Sequence, residues 1–269
     1  MSCYVSHHKE IIGAELRSRI SMRYKRVTKA INREFWESES ETSHSLYVGS
    51  YGRGTATDAS DIDILVALPK NEYDRFDAYR GNGQSRLLQV VKSSIQSTLR
   101  STSIHADGQV IVVNFSDGMK FEILPAFMEV DWCGGETYSY PDSNMGGNWR
   151  ATNPKAEQLA MRERNESSNG LLFDTCKHIR TVHNKHYSSY ALSGIVIDSF
   201  VYKTIGDWHW SSGASSSPEG KYEKKLLDDF NALSAFGRYS FELLAPGSGQ
   251  RVDVSKSVEC LNKVLQYMV

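Results

Sequence analysis

Asp61 and Asp63 stand eleven and thirteen positions after Ser50, in the run Gly49-Ser-Tyr-Gly-Arg-Gly-Thr-Ala-Thr-Asp-Ala-Ser-Asp-Ile-Asp-Ile-Leu-Val-Ala-Leu68. Alternate side chains of a β-strand share a face, so Asp61 and Asp63 project together while Ile62, Ile64 and Val66 turn the other way, into a core. Two hard oxygen donors side by side suit Mg²⁺. The glycines upstream let the backbone approach a phosphate closely, and the Ser50 hydroxyl with neighbouring N–H groups can bind its oxygens. A polar hairpin turn uses the same residue types. The reading as a phosphate turn beside two metal ligands is preferred because its context, a turn leading into an alternating strand, also fits. The chemistry such a pairing serves is metal-assisted nucleotidyl transfer.

A two-metal site calls for a third carboxylate, and Glu122 supplies a candidate. Residues 110–115 are a β-branched run, Ser116-Asp117-Gly118 is a turn signal, and residues 120–124 alternate polar with apolar before Pro125, which is expected to end the strand. Glu122 then projects opposite to Phe121 and Ile123. Three carboxylates on one patch repel one another, which makes a cation their natural complement. An exposed Glu on a half-buried strand is the alternative. With Mg²⁺ or Mn²⁺, two per site, one ion bridging Asp61, Asp63 and Glu122 would lower the pKa of an attacking ribose hydroxyl. The second would bind the triphosphate and the leaving pyrophosphate. No Ser/His/Asp or Cys/His nucleophile is required, and none is spelled out.

Together, Gly49-Ser50…Asp61-Ile-Asp63, Phe121-Glu-Ile-Leu-Pro-Ala-Phe127 and Trp149-Arg-Ala-Thr-Asn-Pro154 resemble the bacterial cyclic-oligonucleotide synthases called CD-NTases, relatives of cyclic GMP-AMP synthase and oligoadenylate synthase. The likeness extends over most of the chain. Ser139-Tyr-Pro-Asp142 stands where that family often reads Ile-Pro-Asp. The resemblance implies an α+β fold, with a polymerase-β-like nucleotidyltransferase core built on a mixed sheet with a carboxylate triad. A helical carboxyl-terminal lobe would complete a bilobal molecule with a central nucleotide cleft. Residues 1–150 would form the catalytic lobe and 151–269 the nucleotide-binding lobe. It further implies that Gly49 and Ser50 contact nucleotide. Lys177 and Arg180, in Lys-His-Ile-Arg, resemble the basic residues that hold the donor triphosphate. Ser189 and Tyr190 resemble a Ser-Tyr pair whose hydroxyl meets phosphate and whose ring stacks on a base. Glu122 is a departure, since many relatives carry Asp there, and the metal geometry would differ accordingly. The function implied is condensation of nucleoside triphosphates into a cyclic di- or trinucleotide second messenger in antiphage (CBASS-type) signalling. A cyclic-nucleotide-activated effector would lie downstream, with a possible operon-encoded regulator and a carboxyl end open to conjugation.

Read from the residues alone, the second half agrees without deciding. Pro154 opens a helix, with good helix formers across 155–165, and 171–184 reads as a second helix. Positions 177 and 180 share a face, as cations toward a nucleotide or as a solvated face. Tyr190 heads a segment, 190–201, that reads as a helix in which an aromatic could equally be core; base stacking would be worth about 1–3 kcal/mol. His178, His183 and His186 near Cys176 lack the framing pattern of a zinc site and read as polar histidines on a helix surface.

Composition bounds the remainder. The 269 residues, 40% hydrophobic and 11% aromatic, can bury a large core. Four cysteines without framework spacing, and neither a cleavable signal nor a long apolar run, point to a reducing cytoplasm and no membrane. A net charge of −1 gives no global basic field for duplex nucleic acid. The basic residues Arg17 to Arg33 are interleaved with apolar positions, as in a long amphipathic helix over about 9–37. Further helices are expected near 84–102 and 254–268, and a Ser/Gly-rich loop at 211–220. A nucleotidyltransferase acting on tRNA or protein keeps the same site, although the near-neutral charge weighs against tRNA. A catalytically silent nucleotide-binding sensor would not need all three carboxylates.

Overall fold

The computed structural model describes residues 4–8, 11–130, 132, 134–211, 220–235 and 241–269. The loop expected at 211–220 lies, apart from its ends, outside the described residues, as do Cys3 and Cys133. Cys176 and Cys260 carry free, buried thiols. The chain forms two compact units: Gly13–Gly52 with Asp61–Asn153, and Met1–Ile12 with Arg53–Ser60 and Pro154–Val269. The division falls at 153/154, where the sequence suggested 150/151, and two amino-terminal segments group with the helices. Hydrogen bonds are the reason: the Val5 N–H donates to Glu223 at 2.8 Å, and Arg53 and Thr55 both bond to Asp198.

The sheet unit begins with α1 (Ala14–Trp36), whose buried Ile20, Tyr24, Val27 and Ile31 recur at helical spacing. On it Arg19 and Arg23 reach Asp117 at 3.3 and 2.8 Å, tying the helix to the turn after residue 114. The sheet runs β1 (Ser45–Tyr47), β2 (Ile62–Ala67), β5 (Lys120–Val130), β4 (Val110–Asn114), β3 (Ser103–Asp107), with β6 (Glu136–Asp142) pairing the far end of β5 and β7 (Asn148–Thr152) pairing β6. It is mixed, since β2 and β5 run parallel and the other pairs antiparallel. Between the strands lie α2 (Gly49–Gly52), α3 (Lys70–Asp77) and α4 (Gly83–Thr98). The Asn82 side chain caps α4 through the Ser85 N–H at 2.8 Å. Leu99 leaves helical geometry, so α4 stops short of the expected 102.

Pro125 does not end β5. The antiparallel ladder to β4 finishes at Ile111–Ile123 and that to β6 begins at Ser139–Phe127, so Pro125 sits in the gap where a missing N–H removes no rung. The strand therefore continues to Val130.

The helical unit comprises α5 (Pro154–Ser167), α6 (Leu171–His186), α7 (Gly194–Thr204), α8 (Lys221–Ser234), a short hairpin of β8 (Leu243–Leu244) and β9 (Arg251–Val252), and α9 (Val258–Tyr267). Phe200, Tyr222 and Leu265 are among its fully buried side chains. α7 starts four residues later than expected. Residues 187–190 instead form a turn closed by Tyr190 N–H to Tyr187 C=O, and Ser193 N–H is held by Ser257 Oγ. Among the described residues no helix is long and apolar enough to cross a membrane.

At the centre of this unit Asp198, fully buried on α7, receives Arg53 Nε at 2.8 Å and Thr55 Oγ1 at 3.0 Å on one oxygen, with Arg180 2.8 Å from the other. Arg53 also donates to Glu157 at 3.0 Å. Burial raises Asp198, but Arg180 and Arg53 outweigh it and hold the carboxyl below its ordinary value. Glu157 is raised, because burial there outweighs what Arg53 returns. Removing the Asp198 charge leaves two buried cations undercompensated. Asp198→Asn should therefore lower stability by about 3–5 kcal/mol at neutral pH, measured by urea denaturation. A depressed acid contributes fully above its unfolded pKa, 3.8 here, and loses that contribution as pH falls through the lower folded value. The gap between variant and parent should thus stay constant down to about pH 4 and narrow only below it.

Candidate active site

Five of the nine residues expected to bind nucleotide or metal come together in the sheet unit. The Val48 N–H donates to the Asp63 carbonyl at 2.9 Å, and the chain then turns through Gly49 at φ +58° into the single turn α2 that carries Ser50. A β-carbon on Gly49 would fall 1.7 Å from Asp63 Oδ2. The bare backbone of the turn therefore lies against one of the proposed carboxylates, which only glycine permits.

Asp63 is in β2, and Asp61 immediately precedes it. The inward set is as expected, with Ile62, Ile64 and Val66 buried. The parallel register places Asp63 beside Glu122 and Ile62 beside Phe121, so that Asp61 and Lys120 fall at the next step of the same pairing. Glu122 is thus brought to the aspartates by strand pairing across 59 residues of sequence.

Lys120 is the residue that the sequence reading missed. Its ammonium lies 2.9 Å from Asp61 Oδ2 and 2.6 Å from Glu122 Oε1. Burial works to lower its pKa, but hydrogen bonds and charge from Glu122 and Asp61 prevail and raise it. A signal existed: Lys120 stands two residues before Glu122 on the same strand and so shares its face. Among the described residues no three His, Cys, Asp or Glu side chains are disposed as a ready metal site. Nevertheless, two of the three carboxylates already converge on one cation. The donor set, all hard oxygens of one sign, fits a hard divalent ion in kind.

The other four expected residues lie in the helical unit. Lys177 is half-buried on α6, 5.9 Å from the Phe173 ring centroid, and burial lowers its pKa. Arg180 does not share an open cationic face with it. Its guanidinium is buried against Asp198 and donates to the carbonyls of Cys176 and Gly194 at 3.2 and 2.9 Å, a structural commitment. Ser189 is exposed in the turn before α7, and Tyr190 is 39% exposed with the Lys263 ammonium 4.9 Å from its ring centre. His178 is not on the surface: it is buried, with Nδ1 3.2 Å from His8 Nε2. His183 bonds the Tyr190 carbonyl at 2.9 Å, and the His186 ring lies 4.5 Å from that of Tyr267, tilted by 33°.

Gly49→Ala should cost about 1–2 kcal/mol from the left-handed backbone alone, plus displacement of the Asp63 carboxylate by the new methyl. The expected outcome is a lower melting temperature together with loss of any metal-dependent stabilisation, both read by thermal denaturation. Full retention of both would show that the turn does not bear on Asp63.

The chain matches the Second Messenger Oligonucleotide or Dinucleotide Synthetase (SMODS) domain over residues 9–165. No curated protein gives a match. Among solved structures it is similar to the Elizabethkingia meningoseptica CdnE cyclic dinucleotide synthase with GTP and Apcpp, at TM-score 0.63 and 14% identity, covering 93% of this chain and 89% of that one. The Bradyrhizobium diazoefficiens CD-NTase CdnG in complex with GTP gives 0.61 at 11%, covering 94% and 83%. A mutant of the Vibrio cholerae di-nucleotide cyclase DncV gives 0.61 at 11%, covering 97% and 84%. At these identities the likeness speaks to the fold, α+β and polymerase-β-like. The domain match spans more than half of the 269 residues and includes Gly49, Asp61, Asp63 and Glu122, and on that ground the chain belongs to the SMODS family of second-messenger oligonucleotide or dinucleotide synthetases.

Proposed function

We propose that this protein condenses ribonucleoside triphosphates into a cyclic di- or trinucleotide second messenger, with release of pyrophosphate, in bacterial antiphage signalling of the CBASS type. The observation that carries the reading is the β2–β5 register, which sets Asp63 beside Glu122 with the Gly49 turn packed against the same carboxylate. Relatives solved with GTP and a nonhydrolysable triphosphate support nucleoside triphosphates as substrates.

In this reading Gly49 and Ser50 take up triphosphate oxygens through backbone N–H groups and the hydroxyl. Asp61, Asp63 and Glu122 would hold two Mg²⁺ or Mn²⁺ ions, which would supply activation of the acceptor hydroxyl and neutralisation of the departing pyrophosphate. The acceptor ribose hydroxyl attacks the α-phosphorus and loses its proton, the bond to pyrophosphate breaks, and the last of two such steps for a dinucleotide, or three for a trinucleotide, closes the ring. The protein's part is positioning and electrostatics. Lys177 and Ser189 would meet phosphate, and the exposed Tyr190 ring would stack on a base; Arg180, committed to Asp198, is left out. An effector activated by the cyclic product would read the signal, under an operon-encoded regulator.

Incubation with the four ribonucleoside triphosphates and Mg²⁺ or Mn²⁺, then phosphatase treatment and mass spectrometry, tests the reading. A phosphatase-resistant cyclic product is expected, and it should vanish in Asp61→Ala/Asp63→Ala. Label transferred to added tRNA or protein instead would move the assignment to a macromolecular acceptor. Tyr190→Ala should raise KM for one nucleotide about 5- to 150-fold while Tyr190→Phe changes it little, as loss of a stacked base requires.

A further inference from the structure

We infer that Lys120 is a built-in counter-cation of the carboxylate cluster, holding Asp61 and Glu122 together until a divalent metal ion displaces it. The inference rests on the reading above, in which those carboxylates hold metal. The ammonium bridges Asp61 Oδ2 and Glu122 Oε1 at 2.9 and 2.6 Å, so it occupies oxygens that a metal ion would need. Both cations are attracted by the same cluster, and they cannot share the same lone pairs at contact distance.

Exposure makes the exchange feasible. Lys120 keeps 33% of its side chain accessible, beside Asp61 at 49% and Glu122 at 31%, and its flexible stem can carry the ammonium outward into water. Ion pairs this exposed shift an equilibrium by no more than about fivefold each. A doubly charged hard cation surrounded by carboxylate oxygens can outcompete them, but its apparent affinity is reduced by the pairs it breaks. Lys120 thus keeps Asp61 and Glu122 from splaying apart before metal arrives, at the expense of metal affinity in the nucleotide-free protein.

The test is Mn²⁺ titration of the nucleotide-free full chain, by calorimetry and by the electron paramagnetic resonance of free Mn²⁺. Lys120→Met should bind Mn²⁺ roughly fivefold to twentyfold more tightly than the parent. It should also melt lower in EDTA, with that difference closing at saturating Mn²⁺. Lys70→Met removes a cation that lies over the Tyr73 ring, in the same unit, and should behave as the parent. Lys120→Gln, which keeps a polar tip, repeats the measurement should the Met variant fold poorly. Unchanged or weaker Mn²⁺ binding on losing Lys120, with binding abolished in Asp61→Ala/Asp63→Ala, would overturn the inference and leave the metal assignment standing. An equal gain in Lys70→Met would also overturn it, by reducing the effect to long-range charge. Binding that ignores the aspartate substitutions, or no binding at all, would remove the metal assignment and this inference with it.

Discussion

Burial of the apolar side chains of β2 and β5 is the constraint on which the placement of Asp63 beside Glu122 depends. Asp63 lies on β2, Asp61 immediately before that strand and Glu122 on β5, and the parallel pairing of the two strands sets Asp63 beside Glu122. A slip of one residue would turn Glu122 to the other face and put Phe121 or Ile123 against the aspartates. What fixes the register is apolar: Ile62, Ile64 and Val66 on one strand and Phe121 and Ile123 on the other are buried. Hydrophobic burial thus does the positioning. From within β5 Lys120 bridges Asp61 and Glu122 and offsets the like charges of that pair.

The segment between the Gly-Ser turn and the first aspartate raises a different problem. Arg53–Ser60 is flanked on both sides by sheet-unit residues yet belongs with the helical unit. It is held there by Arg53 and Thr55 on Asp198, together with Gly54 packed against Phe173. A buried arginine with one partner would be costly; here Asp198 is shared between Arg53 and Arg180, and Glu157 supplies a second carboxylate.

Local structure was legible in the sequence where one periodicity decided it. The inward set of β2 followed from strand alternation, and the placing of Glu122 on a strand followed from a hairpin pattern. Contacts made across long stretches of sequence were not legible. Arg180 reads as a nucleotide-facing cation because α6 periodicity places it near Lys177, but its partner is Asp198, eighteen residues on and on another helix. His178 looks like a surface histidine until the amino-terminal segment lays His8 over it. Pro125 reads as a strand end because a proline lacks an N–H, and only the order of strands reveals that the N–H has no partner to lose there.

These cases turn on one distinction among cations. Arg53 and Arg180 keep 8% and 7% of their side chains accessible, and their planar guanidinium groups bind carboxylates at fixed geometry, so that breaking either pair strands a charge in a low-dielectric core. Lys120 keeps a third of its side chain in water, and its partners are solvated as well, so that its pairs can open without a desolvated charge being left behind. The chain contains the same kind of ion pair in two environments. One environment makes the pair permanent and therefore architectural; the other makes it exchangeable, which is what a cation must be if it stands where a metal ion has to go.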